Sequence, residues 1–336
     1  LMSPVAPMTD ASDRIALVSC MRNEGLFVLE WLAYHQTLGF DHVVVVSNDC
    51  TDGSDTLLDA LAAQGHLTHI RQTVPAGTPP QDSGMALVLD WARDNHVTWL
   101  LHIDSDEFLN ITAGTGRLSD LMPNASEADV VAIPWQLFGD AGITEWTPGM
   151  AVLPSFIRAE PAPEPRVTKS KCLFRAASFA AATDHNPRAP LVDAPRVVNP
   201  DGAALNAASL YQDRSSRFRP HDLAATNATA RINHYAVKSR DLFMMKNDRG
   251  DGQGKIGETK YHLGSNWHRS ANKNNVEDRT ILRHWPATQA RMASLRQDPA
   301  IAAAEQACFD WFSTRKSAIL TPEALALWTR RERPNA

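Results

Sequence analysis

The sequence predicts an α/β fold: a mostly parallel central sheet flanked by helices, with a helical C-terminal extension. Short apolar runs alternate with helix-patterned stretches from residue 14 to residue 110. One run, at residues 99–103, is apolar almost throughout, which is typical of a strand buried on both faces. Strands that alternate with helices at this spacing pair in parallel through right-handed crossovers. The fold class follows from these observations.

In the first half of the chain, each element begins and ends at a recognisable signal. Asn23 is a helix cap and Gly39 ends that helix, while four consecutive valines at residues 43–46 mark the next strand. Gly65 closes the second helix. The predicted strands are residues 14–20, 41–47, 67–71 and 97–103, and the predicted helices lie between residues 23 and 39, at 55–63 and at 83–95.

Beyond residue 110 the regular alternation breaks. Strands are predicted at residues 129–135, 169–175 and 231–237, a short helix at 241–246, and a mostly helical segment at 276–331. The proline-rich stretches at 154–165 and 187–200 are interpreted as long connections. The glycine-rich segment 247–257 holds a formal Gly-x-Gly-x-x-Gly, but no predicted strand precedes it, so it is interpreted as a mobile loop.

Composition limits the function classes. The chain has 336 residues, is 43% hydrophobic and carries a formal net charge of -5, which argues against a general binder of nucleic acid or anionic membranes. No stretch reaches the roughly 18 to 20 apolar residues of a membrane span, and no basic segment followed by an apolar core opens the chain. We therefore expect a cytoplasmic protein, with peripheral membrane contact left open.

The four scattered cysteines form no Cys-x-x-Cys pair, which favours reduced thiols over a zinc ribbon.

A cluster of acids follows the apolar run at residues 99–103. Asp104, Asp106 and Glu107 fall where that strand stops, and ligands of open α/β sheets bind at the carboxyl ends of strands. Each close carboxylate pair at a partly shielded site costs roughly 4 kcal/mol at about 4 Å. A hard divalent cation such as Mg²⁺ or Mn²⁺ relieves this repulsion. The alternative is a solvated acidic turn.

The turn after the first strand lacks two common nucleotide-binding motifs. It reads MRNE at residues 21–24, without Gly-x-Gly-x-x-Gly or Gly-Lys-Ser/Thr. This disfavours both a dinucleotide-binding fold and a P-loop.

Four blocks of sequence carry a resemblance to a known family. They are RNE at residues 22–24 with EWLAYH at 30–35, the polar segment 48–53, HIDSDEFL at 102–109, and HYAVKS at 234–239 continuing to KNDRG at 246–250. In this order the blocks resemble glycosyltransferases of the GT-A (Rossmann-like) fold, specifically bacterial proteins of the family 2 and family 92 type.

The resemblance implies a metal-dependent, inverting glycosyltransferase. The donor would be a nucleoside-diphosphate sugar, with UDP favoured, the ion Mn²⁺ or Mg²⁺, and the acceptor a hydroxyl of a glycan, a lipid or a small molecule that receives a hexose. The implied nucleotide contacts are Glu24, Asn48, Asp52 and Asp104. The implied metal ligands are Asp104, Asp106 and His234, and the implied pyrophosphate contacts are Lys238, Lys246 and Arg249.

Inverting transfer also needs a base that takes the acceptor's proton. Asp184, beside His185, is the first candidate from the residues, and Asp140 and Glu145 follow it. A buried, hydrogen-bonded role is the alternative for His234, and Trp135 and Phe138 are favoured as core residues over sugar-stacking ones.

The resemblance also implies a division of the chain. Residues 1–13 would be a flexible lead-in, 14–110 the nucleotide-sugar-binding half, 111–260 the acceptor-binding and metal or lid half, and 261–336 a helical extension.

Two other functions remain open from sequence. A haloacid-dehalogenase-like phosphatase also carries an Asp-x-Asp after an apolar strand, although in that class the motif opens the domain. The second is a protein that binds a sugar nucleotide or glycan without turnover. The three functions differ in their product. A glycosyltransferase releases UDP from a UDP-sugar, a phosphatase releases phosphate from a monoester, and a binding protein releases neither.

Overall fold

The computed structural model describes residues 12–212, 215–249 and 260–329, with the side chain of Arg249 outside the description. The strands are β1 (Ile15–Met21), β2 (His42–Ser47), β3 (Thr68–Arg71), β4 (Trp99–His102), β5 (Glu107–Ile111), β6 (Val130–Leu137), β7 (Arg158–Ala159), β8 (Ser170–Arg175), β9 (Phe179–Ala182), β10 (Pro187–Pro190), β11 (Val197–Val198), β12 (Ala204–Leu205), β13 (Ala230–His234) and β14 (Val276–Glu277). The helices are α1 (Val28–Gln36), α2 (Ser54–Ala63), α3 (Pro80–Asp94), α4 (Leu118–Leu121), α5 (Val152–Ser155), α6 (His221–Ala224), α7 (Arg240–Arg249), α8 (Asn266–Ala271), α9 (Trp285–Leu295), α10 (Pro299–Ile319) and α11 (Pro322–Leu327).

The central sheet has ten strands and is parallel in its N-terminal half. β3, β2, β1 and β4 lie side by side in parallel, as the strand–helix alternation predicts. The order then continues through β8, which is antiparallel to both β4 and β6. β13 pairs in parallel with β6 and antiparallel with β5. The predicted α/β class, with a central sheet, flanking helices and C-terminal helices, is confirmed.

Hydrophobic side chains fill both faces of the sheet. The valines of β2 alternate: Val43 and Val45 join the cluster that contains α1, whereas Val44 and Val46 join the cluster that contains α3. Because successive side chains of a strand point to opposite faces, a run of four valines requires a layer on each side. The valine-rich strand β2 is therefore buried on both faces.

Some predicted elements differ in their bounds. β5 was not predicted, because Glu107 and Asn110 break its apolar pattern, and it places the acids in a turn between two strands. The predicted strand at 231–237 ends at His234, and the predicted helix at 241–246 extends to Arg249, so that residues 247–249 are helical. The proline-rich segment 187–200 contains the short strands β10 and β11. The lead-in through residue 11 and the glycine-rich segment 250–259 lie outside the described residues.

Long-range packing joins the segments of the chain. Pairing of β13 with β5 and of β8 with β4 carries the sheet across residue 110. The C-terminal helices α9 and α10 pack against α1 and α2, and Phe309 and Phe312 are buried, whereas Leu325 is 39% exposed. Within the described ranges, no helix combines the length and the apolar character that a bilayer span requires.

Candidate active site

The acid cluster lies in the turn that joins β4 to β5. β1 and β2 are parallel to β4, so the segments after β1 and β2 leave the sheet at this same edge. Those segments carry Glu24, Asn48 and Asp52, three of the residues for which the sequence predicts nucleotide contacts. The sheet therefore brings the N-terminal blocks of the resemblance to one edge.

Asp106, Glu107 and His234 form a group that suits a divalent cation. One ligand atom from each of the three lies within 4.8 Å of the others. The register of the sheet explains the meeting, because His234 of β13 is the cross-strand partner of Glu107 of β5. Nε2 of His234 faces Oδ1 of Asp106 at 3.6 Å, and Oε1 of Glu107 lies 3.5 Å from the ammonium of Lys171. Two carboxylates and an imidazole are ligand types that divalent cations accept.

Asp104, predicted as a metal ligand, lies outside this group of three. Nε2 of Gln81 donates to its Oδ1 at 3.0 Å, and Nζ of Lys171 donates to its Oδ2 at 3.3 Å. Its role as a ligand stays a prediction, whereas Glu107, which the sequence placed in the acid cluster, is the residue that the antiparallel register sets beside His234.

Lys171 of β8 is the charged residue at this site that the sequence did not single out. Its side chain is fully buried, and Nζ lies 3.3 Å from Asp104 and 3.5 Å from Glu107 and donates to the backbone oxygen of Asp184 at 2.9 Å. Although burial favours the neutral amine, Asp104 and Glu107 raise the pKa of Lys171 above its usual value. The available signal was a lysine inside an otherwise apolar strand.

The carboxyl groups of Asp106 and Glu107 have pKa values that are shifted in opposite directions. Burial, together with Asp104 and Asp106, raises the pKa of Glu107 well above its usual value despite Lys171. Burial also opposes the charge of Asp106, but Lys246 and His234 hold the pKa of Asp106 well below its usual value.

Two tryptophans fix Glu107. Nε1 of Trp135 donates to Oε2 of Glu107 at 3.0 Å, and the Trp135 ring packs against His234 with centroids 4.3 Å apart. Nε1 of Trp31, on α1, donates to the backbone oxygen of Glu107 at 3.1 Å. Phe138 is buried as expected, whereas Trp135 is only partly buried.

A cleft, hereafter the first cleft, opens beside this group. It is lined by Asn23, Glu24, Leu26, Phe27, Asp52, Val237, Lys238, Leu242, Met245, Lys246, Asp248, Cys308, Trp311 and Phe312. The cleft thus joins the predicted nucleotide residues Glu24 and Asp52 to the predicted pyrophosphate residues Lys238 and Lys246. Nζ of Lys246 lies 3.4 Å from Asp106, which connects the cleft to the acid group.

Lys238 stands over the Phe27 ring, with Nζ 4.5 Å from the ring centroid. The residue has a positive φ of 55° and is nearly fully buried. Burial, with the nearby Lys246, lowers its pKa to about 8, against the opposing effects of Asp106 and Glu30. An ammonium group in this position gains from an added anion more than an exposed lysine does.

Asp52 and Asn48 have structural partners. The Asp52 carboxylate accepts from the backbone of Gly25 at 3.2 Å and of Ser54 at 2.8 Å, which ties the loop after β1 to the start of α2. Nδ2 of Asn48 donates to Asp49 at 2.9 Å. Asn48 is buried and does not line the first cleft.

The three base candidates occupy different places. Asp184 lies near the acid group, with its backbone oxygen bound to Lys171 and His102 and its carboxylate 3.8 Å from His185. Its role as a base stays a prediction. The structure does not bring the other two candidates to the acid group.

Asp140 and Glu145 are engaged in contacts of another kind. The Asp140 carboxylate accepts from Asn272, Asn274 and the backbone of Gly142, and these contacts join the segment after β6 to that after α8. The Glu145 carboxylate is 68% exposed and pairs with Lys316 at 2.8 Å. The sequence could not distinguish these loop acids from a base, because their side-chain partners Asn272, Asn274 and Lys316 lie more than 100 residues away.

Comparison with known proteins supports the resemblance seen in the motifs. No family model matches the chain. A glycosyltransferase family 92 protein of Ricinus communis is 28% identical over 116 residues, which cover 34% of this chain and 20% of that protein. A family 92 protein of Oryza sativa subsp. japonica is 26% identical over 112 residues, which cover 33% and 18%. The chain is similar to glycosyltransferase family 92 proteins.

The match has a limited extent. The chain spans about a fifth of the length of these curated relatives. Both relatives are plant proteins, whereas the motifs were expected to match bacterial ones.

The similarity to solved structures is low. The structure of S. aureus TarS 1-349 is 14% identical, covers 91% of this chain and 82% of its own, and has a TM-score of 0.37. The TarS 1-349 complex with UDP-GlcNAc is 20% identical, covers 49% and 46%, and has a TM-score of 0.31. Glucosyl-3-phosphoglycerate synthase of Mycobacterium tuberculosis, in complex with Mn²⁺, UDP-glucose and phosphoglyceric acid, is 14% identical, covers 37% and 44%, and has a TM-score of 0.26.

Proposed function

We propose that this protein is a glycosyltransferase that binds a UDP-hexose in the first cleft and transfers the sugar to an acceptor hydroxyl. The observation that carries the proposal is the convergence of Glu24, Asp52, Lys238 and Lys246 on one cleft beside a buried group of acids. The sequence match to glycosyltransferase family 92 proteins supports the same reaction class.

The cluster fits a divalent cation. Asp106, Glu107 and His234 would hold Mn²⁺ or Mg²⁺, because one ligand atom from each lies within 4.8 Å of the others and carboxylate and imidazole groups suit such ions. Such an ion supplies positive charge to the diphosphate that leaves the sugar. Asp104, bound to Lys171, would stand behind these ligands and fix the turn.

The lysines of the first cleft would stabilise the nucleoside diphosphate that leaves the sugar. Breaking the sugar–phosphate bond concentrates negative charge on the nucleoside diphosphate, and cations fixed in advance stabilise that charge. Lys246 and Lys238 line the cleft and are held by Asp106 and Phe27, respectively. The side chain of Arg249, three residues after Lys246, lies outside the described residues, and its contact with the phosphates stays a prediction.

The phosphatase alternative has less support. Three strand–helix units precede the Asp-x-Asp turn, whereas in haloacid dehalogenases this motif opens the domain. The first aspartate is bound to both Gln81 and Lys171. Transfer of sugar from a UDP-sugar, if measured for this protein, would exclude a protein that binds the donor without turnover.

Calorimetric titration of UDP with and without Mn²⁺ tests the proposal, together with release of UDP from UDP-sugars. We expect Asp106→Asn to weaken the Mn²⁺-dependent part of UDP binding by at least tenfold and to abolish transfer while the fold is retained. Asp90→Asn removes an exposed carboxylate of α3 that pairs only with Arg93, and serves as the control. Mn²⁺-independent UDP binding, unchanged in Asp106→Asn, would contradict the metal assignment, and no binding of UDP or any UDP-sugar would contradict the function.

A further inference from the structure

A second cleft lies beside the acid group, with His234 in its lining. We refer to it as the second cleft. It is lined by Trp135, Leu137, Glu160, Glu164, Val167, Thr168, Lys169, His234, Ala236, Trp267, Ser270 and Ala271. Except for His234, none of the residues with predicted donor or metal roles lines it.

The two clefts meet at the same acid group. His234, one member of that group, lines the second cleft, and Trp135, which also lines it, donates to Glu107. The first cleft reaches the group through Lys246, whose Nζ lies 3.4 Å from Asp106. A donor phosphate in the first cleft and a second molecule in the second cleft would therefore meet at this group.

Two indole rings give the second cleft the walls of a carbohydrate site. Trp267 is 39% exposed, although its ring is held by stacking on Phe243 with centroids 5.4 Å apart. Trp135 is held by its bond to Glu107 and by the His234 ring. A pyranose has an apolar C–H face that packs on a fixed aromatic ring, while its hydroxyls need a few polar groups at the rim. Thr168, Ser270, Lys169 and the two glutamates provide such groups.

Glu160 is the buried acid of this cleft. It is only 7% exposed, and its Oε1 accepts from the backbone N–H of Leu137 at 2.8 Å. Its Oε2 accepts no hydrogen bond from the described residues, so one carboxylate oxygen is held and the other is available. Burial raises the pKa of Glu160 to about 7, with Glu164 adding to the rise and the Leu137 N–H and Lys273 opposing it. A carboxylate of this kind suits proton abstraction near neutral pH.

We propose that the second cleft binds the acceptor as a carbohydrate ring stacked on Trp267 and Trp135, and that Glu160 is the base for its hydroxyl. This inference rests on the proposed glycosyltransferase function. The acceptor oxygen forms a bond to the anomeric carbon of the donor as its proton passes to Oε2 of Glu160. The bond from that carbon to the β-phosphate oxygen breaks, and its electron pair leaves with UDP. The sum is one glycoside and one UDP per donor and acceptor, without a further reactant.

The test uses the full chain, a UDP-sugar that the wild type binds, and a panel of methyl glycosides as acceptors. Glu160→Gln keeps the bond to Leu137 through its amide oxygen but cannot take a proton. We expect its kcat for transfer to fall by about 10²–10⁴-fold, with UDP affinity within twofold of wild type. Trp267→Ala should raise the acceptor KM at least fivefold and change the donor KM by a smaller factor, because Nζ of Lys246 lies 5.8 Å from the centre of the Trp267 ring. Glu127→Gln, which changes an 81% exposed carboxylate, is the control.

The outcomes separate this inference from the function on which it rests. Failure of the wild type to bind UDP or any UDP-sugar would contradict the proposed function itself. UDP binding and transfer with Glu160→Gln at wild-type kcat would overturn only the role of Glu160. Binding of the donor without stimulation by any glycoside, or loss confined to Asp184→Asn, would overturn the second cleft and its base.

Discussion

Lys171 neutralises two carboxyl groups that the turn after β4 brings into the interior. Its ammonium lies between Asp104 and Glu107, is fully buried, and depends on them for its charge as they depend on it. Removing one partner of such a buried arrangement leaves an uncompensated charge, which costs more than the net contribution of the intact arrangement.

Replacing Lys171 by methionine should therefore lower the free energy of unfolding by about 3–5 kcal/mol and abolish sugar transfer. Urea unfolding and UDP release measure the two effects. Arg93→Met removes a cation of similar length from the surface of α3, where it pairs only with Asp90, and should change stability by less than about 1 kcal/mol. Equal effects of the two substitutions would show that the buried ammonium is not required.

Glu30 gives a pH dependence of stability. Burial raises its pKa to about 7, although the backbone N–H groups of Val152 and Leu153 oppose the rise. The folded state therefore holds a proton that the unfolded chain releases above the usual glutamate pKa of 4.5. The stabilisation is fully present below about pH 4.5 and is lost as the pH rises towards 7.

In Glu30→Gln the free energy of unfolding should no longer fall with pH through this group. The expected fall in the wild type is about 3 kcal/mol, because each unit of pKa shift corresponds to about 1.4 kcal/mol. Urea denaturation at intervals between pH 5 and pH 8 measures it: the stability of the wild type should fall relative to that of the variant across this range. Glu127→Gln, at an exposed position, should follow the wild type at every pH. Parallel curves for the wild type and Glu30→Gln would rule out the buried, protonated carboxyl.

At the scale of elements, α1 holds the strand that carries the acids. The hydroxyl of Tyr34 donates to the backbone oxygen of Leu109 at 2.7 Å, and Nε1 of Trp31 donates to that of Glu107. Nε2 of His35 accepts from the backbone N–H of Leu109, and burial lowers the pKa of His35 to about 3, which keeps the ring neutral for that bond. The sequence block at residues 30–35 thus acts on the site through the backbone of β5.

Tyr34→Phe keeps the ring and removes only this hydroxyl. We expect a loss of about 1–3 kcal/mol, because the donor to a buried carbonyl disappears, and a weaker UDP affinity because β5 carries Glu107. Thermal and urea unfolding with UDP calorimetry provide the measurement. Tyr211→Phe, at a residue that is 62% exposed, should change neither quantity. A variant as stable as the wild type would show that α1 does not fix the strand by this bond.

At the scale of the whole molecule, the C-terminal helices complete a site that the N-terminal half begins. α10 packs on α2 and contributes Cys308, Trp311 and Phe312 to the first cleft. Arg315 and Lys316 of the same helix form ion pairs with Asp248 and Asp241 of α7, the helix that carries Lys246. Helices distant in sequence thus enclose the cleft between α10 and the loop after β1.

A substitution at Gly25 tests whether the packing of α10 on the loop after β1 shapes the first cleft. A Cβ at Gly25 would lie 2.3 Å from Sγ and 2.8 Å from Cβ of Cys308, so Gly25→Ala must displace α10 or the loop. We expect about 1–3 kcal/mol of destabilisation and weaker UDP binding. Adding Cys308→Ala removes the shorter contact and should recover part of both losses. Wild-type stability and affinity in Gly25→Ala would show that this packing does not shape the cleft.

The amino-acid sequence by itself determined the alternating first half and the place of the acids, because the periodicity of apolar residues and the turn signals between them are local properties. The run at residues 99–103 and the turn that follows it could be predicted in this way. The succession of strands β1 to β4 along the chain could also be predicted. The resemblance to family 92 likewise depended on short local blocks.

Only the tertiary structure decided which side chains meet. The register of β13 against β5 places Glu107, and not Asp104, directly opposite His234. Strand β8 places Lys171 next to Asp104, although the two residues are more than 60 positions apart in the sequence. The same packing engages Asp140 and Glu145 elsewhere and forms the second cleft around Glu160. Contacts of this kind depend on strand order and side-chain direction across the whole sheet, and a shift of one residue in register reverses the face on which each side chain lies.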